Sequence, residues 1–520
     1  MWQRFTVADL RIITHYIGKL LLFLTAAELV PLVVALGMQE WHAAARYCLS
    51  AGFALTIGSL LCMVLPSPGK LSSKNALAIT GLAWIILTFF SALPLSLSGH
   101  FGSYLDAVFE AMSAWTTTGA SLAVDLDHMA FADNMWRIFM QCMGGLGVVV
   151  IALSLGMFGR SVDSSLYSSE GRSEHVVPNI LTTSRFIVKF ALVINIVAGT
   201  ILFGLCVLIG MEPVRAFFNG MWLSMASFAT GGMTSMSPGM IYYHSGLIEV
   251  VVMTVILFGA INFTLHSEVW RGRIEHFFND IEIRTLVVWL SIVVLVFVAN
   301  LCAAHVYDDL PVVLRRSVFT VVSAFSSTGF QTISTNQLAT VIPSGGLLIL
   351  AFCMAVGGSS GSTAGGIKAF RIGIMLKELS AYFKDVLAPD SARQMVTYYH
   401  VGRRPLEGSI VRANMAVIFL YGVVLLAAVI ITVAYGYGAS LSIFECVSMT
   451  SNIGMSAGII TPGMPDVLKV VYIVCMWTGR LEFVAIFALI IALVSSMRPR
   501  RVKALTFSKV RDSISSFKAK

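Results

Sequence analysis

The chain has 520 residues, of which 57% are hydrophobic and 12% charged, with a net charge of +8 and a mean hydropathy of +0.83. Soluble chains of this length carry about a quarter charged residues, so the composition excludes a soluble domain and marks a polytopic membrane protein. No basic stretch alternates with aromatic residues, which argues against nucleic-acid binding, and the eight scattered cysteines, with no C-x-x-C among them, read as small core hydrophobes.

Apolar stretches long enough to cross a bilayer predict ten spans, at 12–36, 43–65, 76–97, 135–157, 186–209, 247–266, 286–304, from 347 onward, 415–435 and 467–494. The first is long and has no small-residue cleavage site after it, so it reads as a span and not as a removable leader. Basic residues fall between alternate spans: Lys70 and Lys74; Arg160, Arg172 and Arg185; Arg271, Arg273 and Arg284; Lys377, Lys384, Arg393, Arg403, Arg404 and Arg412; Arg498, Arg500, Arg501 and Lys503. That asymmetry places these segments, and both termini, in the cytoplasm.

Four connections on the other side carry a short semi-apolar segment that cannot cross. They end in related strings, "FEAMSAWTTTGA", "WLSMASFATGGM", "FTVVSAFSSTGF" and "FECVSMTSNIGM". The shared frame runs Phe109-Ser113-Trp115-Gly119, Trp222-Ala226-Phe228-Gly232, Phe319-Ser323-Phe325-Gly329 and Phe444-Ser448-Thr450-Gly454. A second glycine follows each frame at 25 to 28 residues: Gly144, Gly259, Gly357 and Gly479. An internal period of this kind decides the fold. The expectation is an all-α membrane protein of four repeats, each helix, pore helix, loop, helix, around one pore. The divisions are an N-terminal helix pair at 1–70, repeat 1 at 71–165, repeat 2 at 166–276, repeat 3 at 277–395, and repeat 4 with its tail at 396–520.

Non-helical backbone at membrane depth is tolerated only inside protein or against a water-filled cavity. A glycine in each loop opens conformations closed to other residues, so carbonyls from four loops can face one axis and replace the hydration shell of a monovalent cation. The pore-helix C-termini add partial negative charge. Hydroxyls just before the glycines (Thr116, Thr117 and Thr118; Thr230; Ser326, Ser327 and Thr328; Ser451) offer further oxygens. The competing reading is small-residue packing between helices, which leaves the four half-length segments unexplained.

The motifs "TTTGA", "SSTGF" and above all "GGSSGSTAGGIK" resemble the Trk/Ktr/HKT superfamily of potassium transporters, and the extra N-terminal pair resembles its bacterial TrkH type. The resemblance implies a potassium-binding filter at Thr117, Thr118 and Gly119; Thr230, Gly231 and Gly232; Ser327, Thr328 and Gly329; and Asn452, Ile453 and Gly454. Relatives with serine at the first filter glycine favour sodium, so Gly119 points to potassium as the transported ligand, with no covalent cofactor and no enzymatic activity. The resemblance also implies an inner-membrane homodimer of separate pores and a cytoplasmic ring of nucleotide-binding subunits of the TrkA type. That ring would dock on the basic segments 377–412 and 498–520.

The resemblance further assigns Gly357, Gly358, Ser359, Ser360, Gly361, Ser362, Thr363, Ala364, Gly365 and Gly366 to an intramembrane gate. Small residues suit that role, being flexible and thin enough to lie across a conduit. Lys368 ends the loop and reads equally as an interfacial anchor. Arg480 is expected to latch the loop through its carbonyls, against a simple pairing with Glu482. Glu110 and Glu445 occupy equivalent pore-helix positions, either gathering cations at the mouth or capping backbone donors. "GGSSG" also matches G-x-S-x-G, but a serine hydrolase needs a strand-turn-helix setting and an oriented histidine, and neither His266 nor His305 has a visible carboxylate partner. A sodium-coupled carrier would need inverted halves, whereas these repeats run parallel.

Overall fold

The computed structural model describes residues 5–64, 72–147, 180–387 and 396–497. These residues form a membrane bundle of helices with two short two-stranded pairings. The N-terminal pair, Val7–Gly37 and Trp41–Met63, packs side by side. Polar contacts hold it to repeat 1 at both ends, and at one of them Lys74 donates to Asp9 at 2.5 Å. Glu40 accepts the Phe131 and Ala132 N–H groups at 2.7 and 3.0 Å, which places a carboxylate at the N-terminus of helix Phe131–Gly145, where the helix dipole favours negative charge. Asp133 in the same turn accepts from Arg46 and from the Tyr47 hydroxyl, both at 2.9 Å.

Each repeat opens with a long outer helix: Ser73–Ser96, Ile180–Leu208, Ile281–Ala303 and Gly408–Ala434. The repeat 2 and 3 outer helices leave apolar rows exposed, Leu192, Val193 and Ile196 in one and Val288, Ile292 and Leu295 in the other. Such rows suit lipid as solvent. The next helix is short in every repeat: Tyr104–Trp115, Pro213–Phe228, Leu310–Phe325 and Ala439–Thr450, at 12 to 16 residues. At about 1.5 Å per residue, none spans a hydrocarbon core of about 30 Å. These helices are buried almost all round toward their C-terminal ends, so they re-enter the molecule rather than cross it.

The inner helices begin at Phe131, Gly246, Ser344 and Asp466. The second glycine of each period has a packing role. A Cβ on Gly144, Gly259 or Gly479 would strike the carbonyl oxygen of Trp115, Phe228 or Thr450 at the end of the re-entrant helix. The inner helix therefore passes directly over that C-terminus. Repeat 3 departs from this rule, since Gly357 abuts the Gly365 carbonyl instead.

The structure corrects two predicted spans. Residues 247–266 and 467–494 were expected to be continuous, yet Gly246–Ala260 and Phe263–Trp270 meet at 99°, and the helices on either side of residues 481–483 meet at 108°. The first break is capped by Asn262, whose side chain accepts the Thr264 N–H at 2.8 Å. Asn262 thus works as a helix cap, and its Nδ2 also reaches Glu282 on helix Ile281–Ala303 at 3.5 Å. In the second break Glu482 and Phe483 take left-handed backbone angles, φ +52° and +63°. The distal half of the span predicted at 135–157 lies outside the described residues, as do Lys70, Arg160, Arg172, Arg393 and the segment 498–520.

Candidate functional site

The four re-entrant helices end in the same backbone turn. Two residues before each frame glycine the chain enters the left-handed region at a non-glycine: Thr117, Thr230, Ser327 and Asn452, with φ between +49° and +59°. The glycines follow at +90° for Gly119, +74° for Gly232, +89° for Gly329 and +79° for Gly454. Gly454 falls in the same slot as the other three although its string is the most divergent.

The loops close on one another in cyclic order. A Cβ on Gly119 would strike the Gly231 carbonyl oxygen, one on Gly232 that of Thr328, one on Gly329 that of Ile453, and one on Gly454 that of Thr118. Each glycine thus faces the carbonyl just before the next repeat's glycine, and repeat 4 returns to repeat 1. All four glycines line a single cavity of about 530 Å³. Ser237, Gln331, Asn336 and Ser456 line it as well, and none of its lining residues is ionisable. Its polarity comes from backbone carbonyls, hydroxyls and amides, together with the helix C-termini that converge on it.

Buried polar groups brace the loops from outside the ring. Glu110 is fully buried and accepts from Leu122 N–H and the Ser121 hydroxyl, both at 3.0 Å, and from Arg137 Nε at 2.7 Å. Glu445 accepts from the Ser456 hydroxyl and the Ala457 N–H, each at 2.8 Å. Of their two readings, the geometry is that of capping. The matching position in repeat 3 is Thr320, which meets Thr332 at 3.3 Å. Four of the hydroxyls before the glycines pair with one another, Thr116 with Thr118 and Ser326 with Thr328, each pair at 2.8 Å.

The serine-glycine segment 357–366 lies directly beneath the ring. A two-residue parallel pairing, Val356 with Ile367 and Gly357 with Lys368, closes its neck. Thr363 is its central contact. Its hydroxyl meets Thr230 Oγ1 and the Gly259 carbonyl, each at 2.9 Å, and its N–H donates to Gly259 at 3.1 Å. Gly365 reaches repeat 4, where a Cβ would strike the Ser451 carbonyl. Ser359 N–H donates to the Ala260 carbonyl at 2.9 Å, and Ser360 N–H to Glu282 at 2.7 Å. Gly361 and Gly366 take φ of +68° and +69°, Gly358 packs on Ala260, and Ser362 and Ala364 are buried.

Arg480 reaches this segment across repeat 1. Its Nη1 donates to the Thr363 carbonyl at 2.9 Å and to Thr117 Oγ1 at 3.2 Å, and Nη2 donates to the Gly144 carbonyl at 2.5 Å. Glu482 pairs with Arg371 instead. Lys368 is buried, and its ammonium donates to the Ala364 carbonyl inside the loop, so it is not an interfacial anchor.

The cation transport protein model of the TrkH family matches residues 52–498. The chain belongs to the TrkH family of cation transport proteins. An uncharacterized cation transporter of Methanocaldococcus jannaschii is 32% identical over 94% of this chain and 96% of its own length. The Trk system potassium uptake protein TrkH of Halomonas elongata is 26% identical over 92% and 98%. The crystal structure of the potassium transporter TrkH from Vibrio parahaemolyticus superposes with a TM-score of 0.80 at 25% identity, over 94% of this chain and 100% of that one. The chain is thus a multi-pass membrane protein of a Trk-type cation transport family.

This TrkH-family chain also holds residues that sequence reasoning missed. Arg137, fully buried, ties Glu110 to Asn134 and to the Thr234 carbonyl. Asp280 caps helix Ile281–Ala303 and lies 3.0 Å from His400 Nδ1, and its neighbour Glu282 holds Ser360. The antiparallel hairpin of Thr397–Tyr399 and Arg403–Pro405 is thereby tied to the serine-glycine segment. The ligand atoms of Asp280, Glu282 and His400 lie within 4.8 Å of one another, a metal-like spacing. Both carboxylates already accept backbone N–H groups, and we assign the trio to holding the hairpin. His266 donates to the Phe258 carbonyl at 3.0 Å, which fits a structural histidine and not the base of a serine nucleophile.

Proposed function

We propose that this chain conducts potassium through the ring of Gly119, Gly232, Gly329 and Gly454, with the segment 357–366 as its gate and Arg480 as the latch. The observation that carries the reading is the cyclic contact order, in which each left-handed glycine faces the carbonyl of the next repeat. Four carbonyls held at one constriction can replace the hydration shell of a monovalent cation, and an uncharged mouth leaves the work to carbonyl dipoles. The names of the Halomonas and Vibrio relatives support potassium as the ion. The position of Thr363 against Thr230 and Arg480 supports the gate, because a segment seated there blocks the axis below the ring. Nucleotide control by a separate cytoplasmic subunit, a homodimer of independent pores, an inner-membrane location and cytoplasmic termini complete the proposal. They rest on the family and on the distribution of Lys and Arg. In the part of the basic surface that is described, Arg403 and Arg404 stand on the hairpin.

The test is flux. Purified protein in liposomes should take up potassium in preference to sodium, and Gly119→Ser should admit sodium. A serine at φ +90° is strained, and its Cβ would push the Gly231 carbonyl out of the ring. An unchanged potassium-to-sodium ratio in Gly119→Ser refutes the filter.

A further inference from the structure

Gln141 lies on the repeat 1 inner helix, three residues before Gly144, and is wholly buried. Its amide reaches across to the repeat 2 loop. Nε2 donates to the Gly231 carbonyl at 2.5 Å, and Oε1 accepts the Met233 N–H at 3.2 Å. Those two backbone groups flank Gly232. The side chain therefore does what a neighbouring β-strand would do, offering one donor and one acceptor to the residues on either side of a turn. The approach is close: a Cβ on Gly231 would lie 2.5 Å from Gln141 Cδ. Residue 231 must lack a side chain for the amide to enter.

Among the described residues no other repeat has this device. Three residues before Gly259, Gly357 and Gly479 stand Ile256, Met354 and Met476, which carry no amide. Among the described residues, Gly231 alone of the four inter-repeat carbonyls takes a side-chain donor. The ring is fourfold in its backbone and asymmetric in its bracing.

We propose that Gln141 is a specificity-determining positioning residue, which holds the Gly231 carbonyl back from the axis and so favours a potassium-sized cation over a sodium-sized one. The proposal rests on the glycine ring being the selective constriction. Two effects act in the same direction. A carbonyl held from behind cannot close in on the smaller ion. A carbonyl that shares its lone pairs with an amide donor also gives less to an ion that is costlier to dehydrate.

The experiment uses the full chain in liposomes, with potassium and sodium uptake measured separately for Gln141→Leu, Gln141→Met and Gly232→Ser. Leu and Met keep the volume and remove both hydrogen bonds. The expected result is a potassium-to-sodium ratio lowered about fivefold, the change that one net hydrogen bond supports, with potassium uptake retained. A merely structural role would lower uptake of both ions together and leave the ratio alone. If Gly232→Ser shifts the ratio and the Gln141 variants do not, the role of Gln141 is overturned and the filter stands. If none of the three shifts it, the filter reading fails and takes the proposal with it. If neither Gln141 variant yields monodisperse protein, the residue is structural and the proposal is overturned.

Discussion

Replacing Arg480 with alanine should open the pathway. The guanidinium donates to several oxygens, and the bond to the Thr363 carbonyl, at 2.9 Å, reaches the serine-glycine segment. The bonds to Thr117 and Gly144, and the placement of the guanidinium 5.7 Å from the Trp84 ring centroid, involve repeat 1 and persist wherever the segment sits. A contact biases an equilibrium only by the difference it makes between the two states. One charge-assisted bond contributes about 1.5–3 kcal/mol, and each 1.4 kcal/mol or so is tenfold. Arg480→Ala should thus shift the segment toward withdrawal by about 10- to 150-fold. Basal potassium uptake by the purified chain without any partner should rise by at least about tenfold. Removing a positive charge beside a cation path also speeds flux, and Arg480→Lys separates the two causes. Lysine keeps the charge but not the planar fork, so a latch predicts intermediate uptake and a charge barrier predicts parental uptake. Uptake by Arg480→Ala at or below the parental level, with the same melting temperature and monodispersity, would refute the latch.

Deleting residues 359–364 should also raise basal uptake, because Gly357, Gly358, Gly365 and Gly366 remain to turn the neck paired at Val356 and Ile367; parental uptake would mean that the segment is not a gate. Arg137→Leu leaves the Glu110 carboxylate buried without its ion-pair partner, whose Nη2 lies 2.7 Å away at zero exposure for both side chains. Thermal unfolding should show a loss of roughly 3–5 kcal/mol, and the double variant with Glu110→Gln should recover part of it. Glu445→Gln keeps the Oε1 atom that accepts from Ser456, Ala457 and Ile459 and should melt near the parent. Glu445→Leu leaves those donors without their acceptor, at about 1–3 kcal/mol for each that is buried.

The ring was legible because it is local. Each loop lies within a dozen residues of its own re-entrant helix, and the four copies repeat one spacing. The second glycine was visible too, but its purpose, clearance over a helix C-terminus, needed the packing. The broken spans were not legible. Their breaks fall at Ile261-Asn262 and at Leu481 to Phe483, stretches apolar enough to keep a hydropathy window running. Gln141 reads as an ordinary polar residue near the start of a span, since its partner Gly231 belongs to the next repeat, and so does Arg137, whose ion-pair partner Glu110 lies 27 residues upstream. The pairing of Asp280 with His400 joins residues 120 apart, beyond any local pattern. No local pattern signals that Thr117 and Thr230 turn toward Arg480 and Thr363.

The closed ring is drawn from one polypeptide. In an assembly of four identical chains every substitution would strike all four quarters at once, and a change costing 1 kcal/mol in one would cost roughly four. Here each quarter is altered alone. That independence accommodates Ser-Asn-Ile-Gly in the fourth loop beside Thr-Thr-Thr-Gly in the first, while both keep the same turn. It also lets two quarters take different tasks, one presenting Thr230 to the loop beneath and another presenting Thr117 to Arg480. An aperture with four distinct sides can be adjusted one side at a time, in steps a quarter the size of those open to a fourfold-symmetric one.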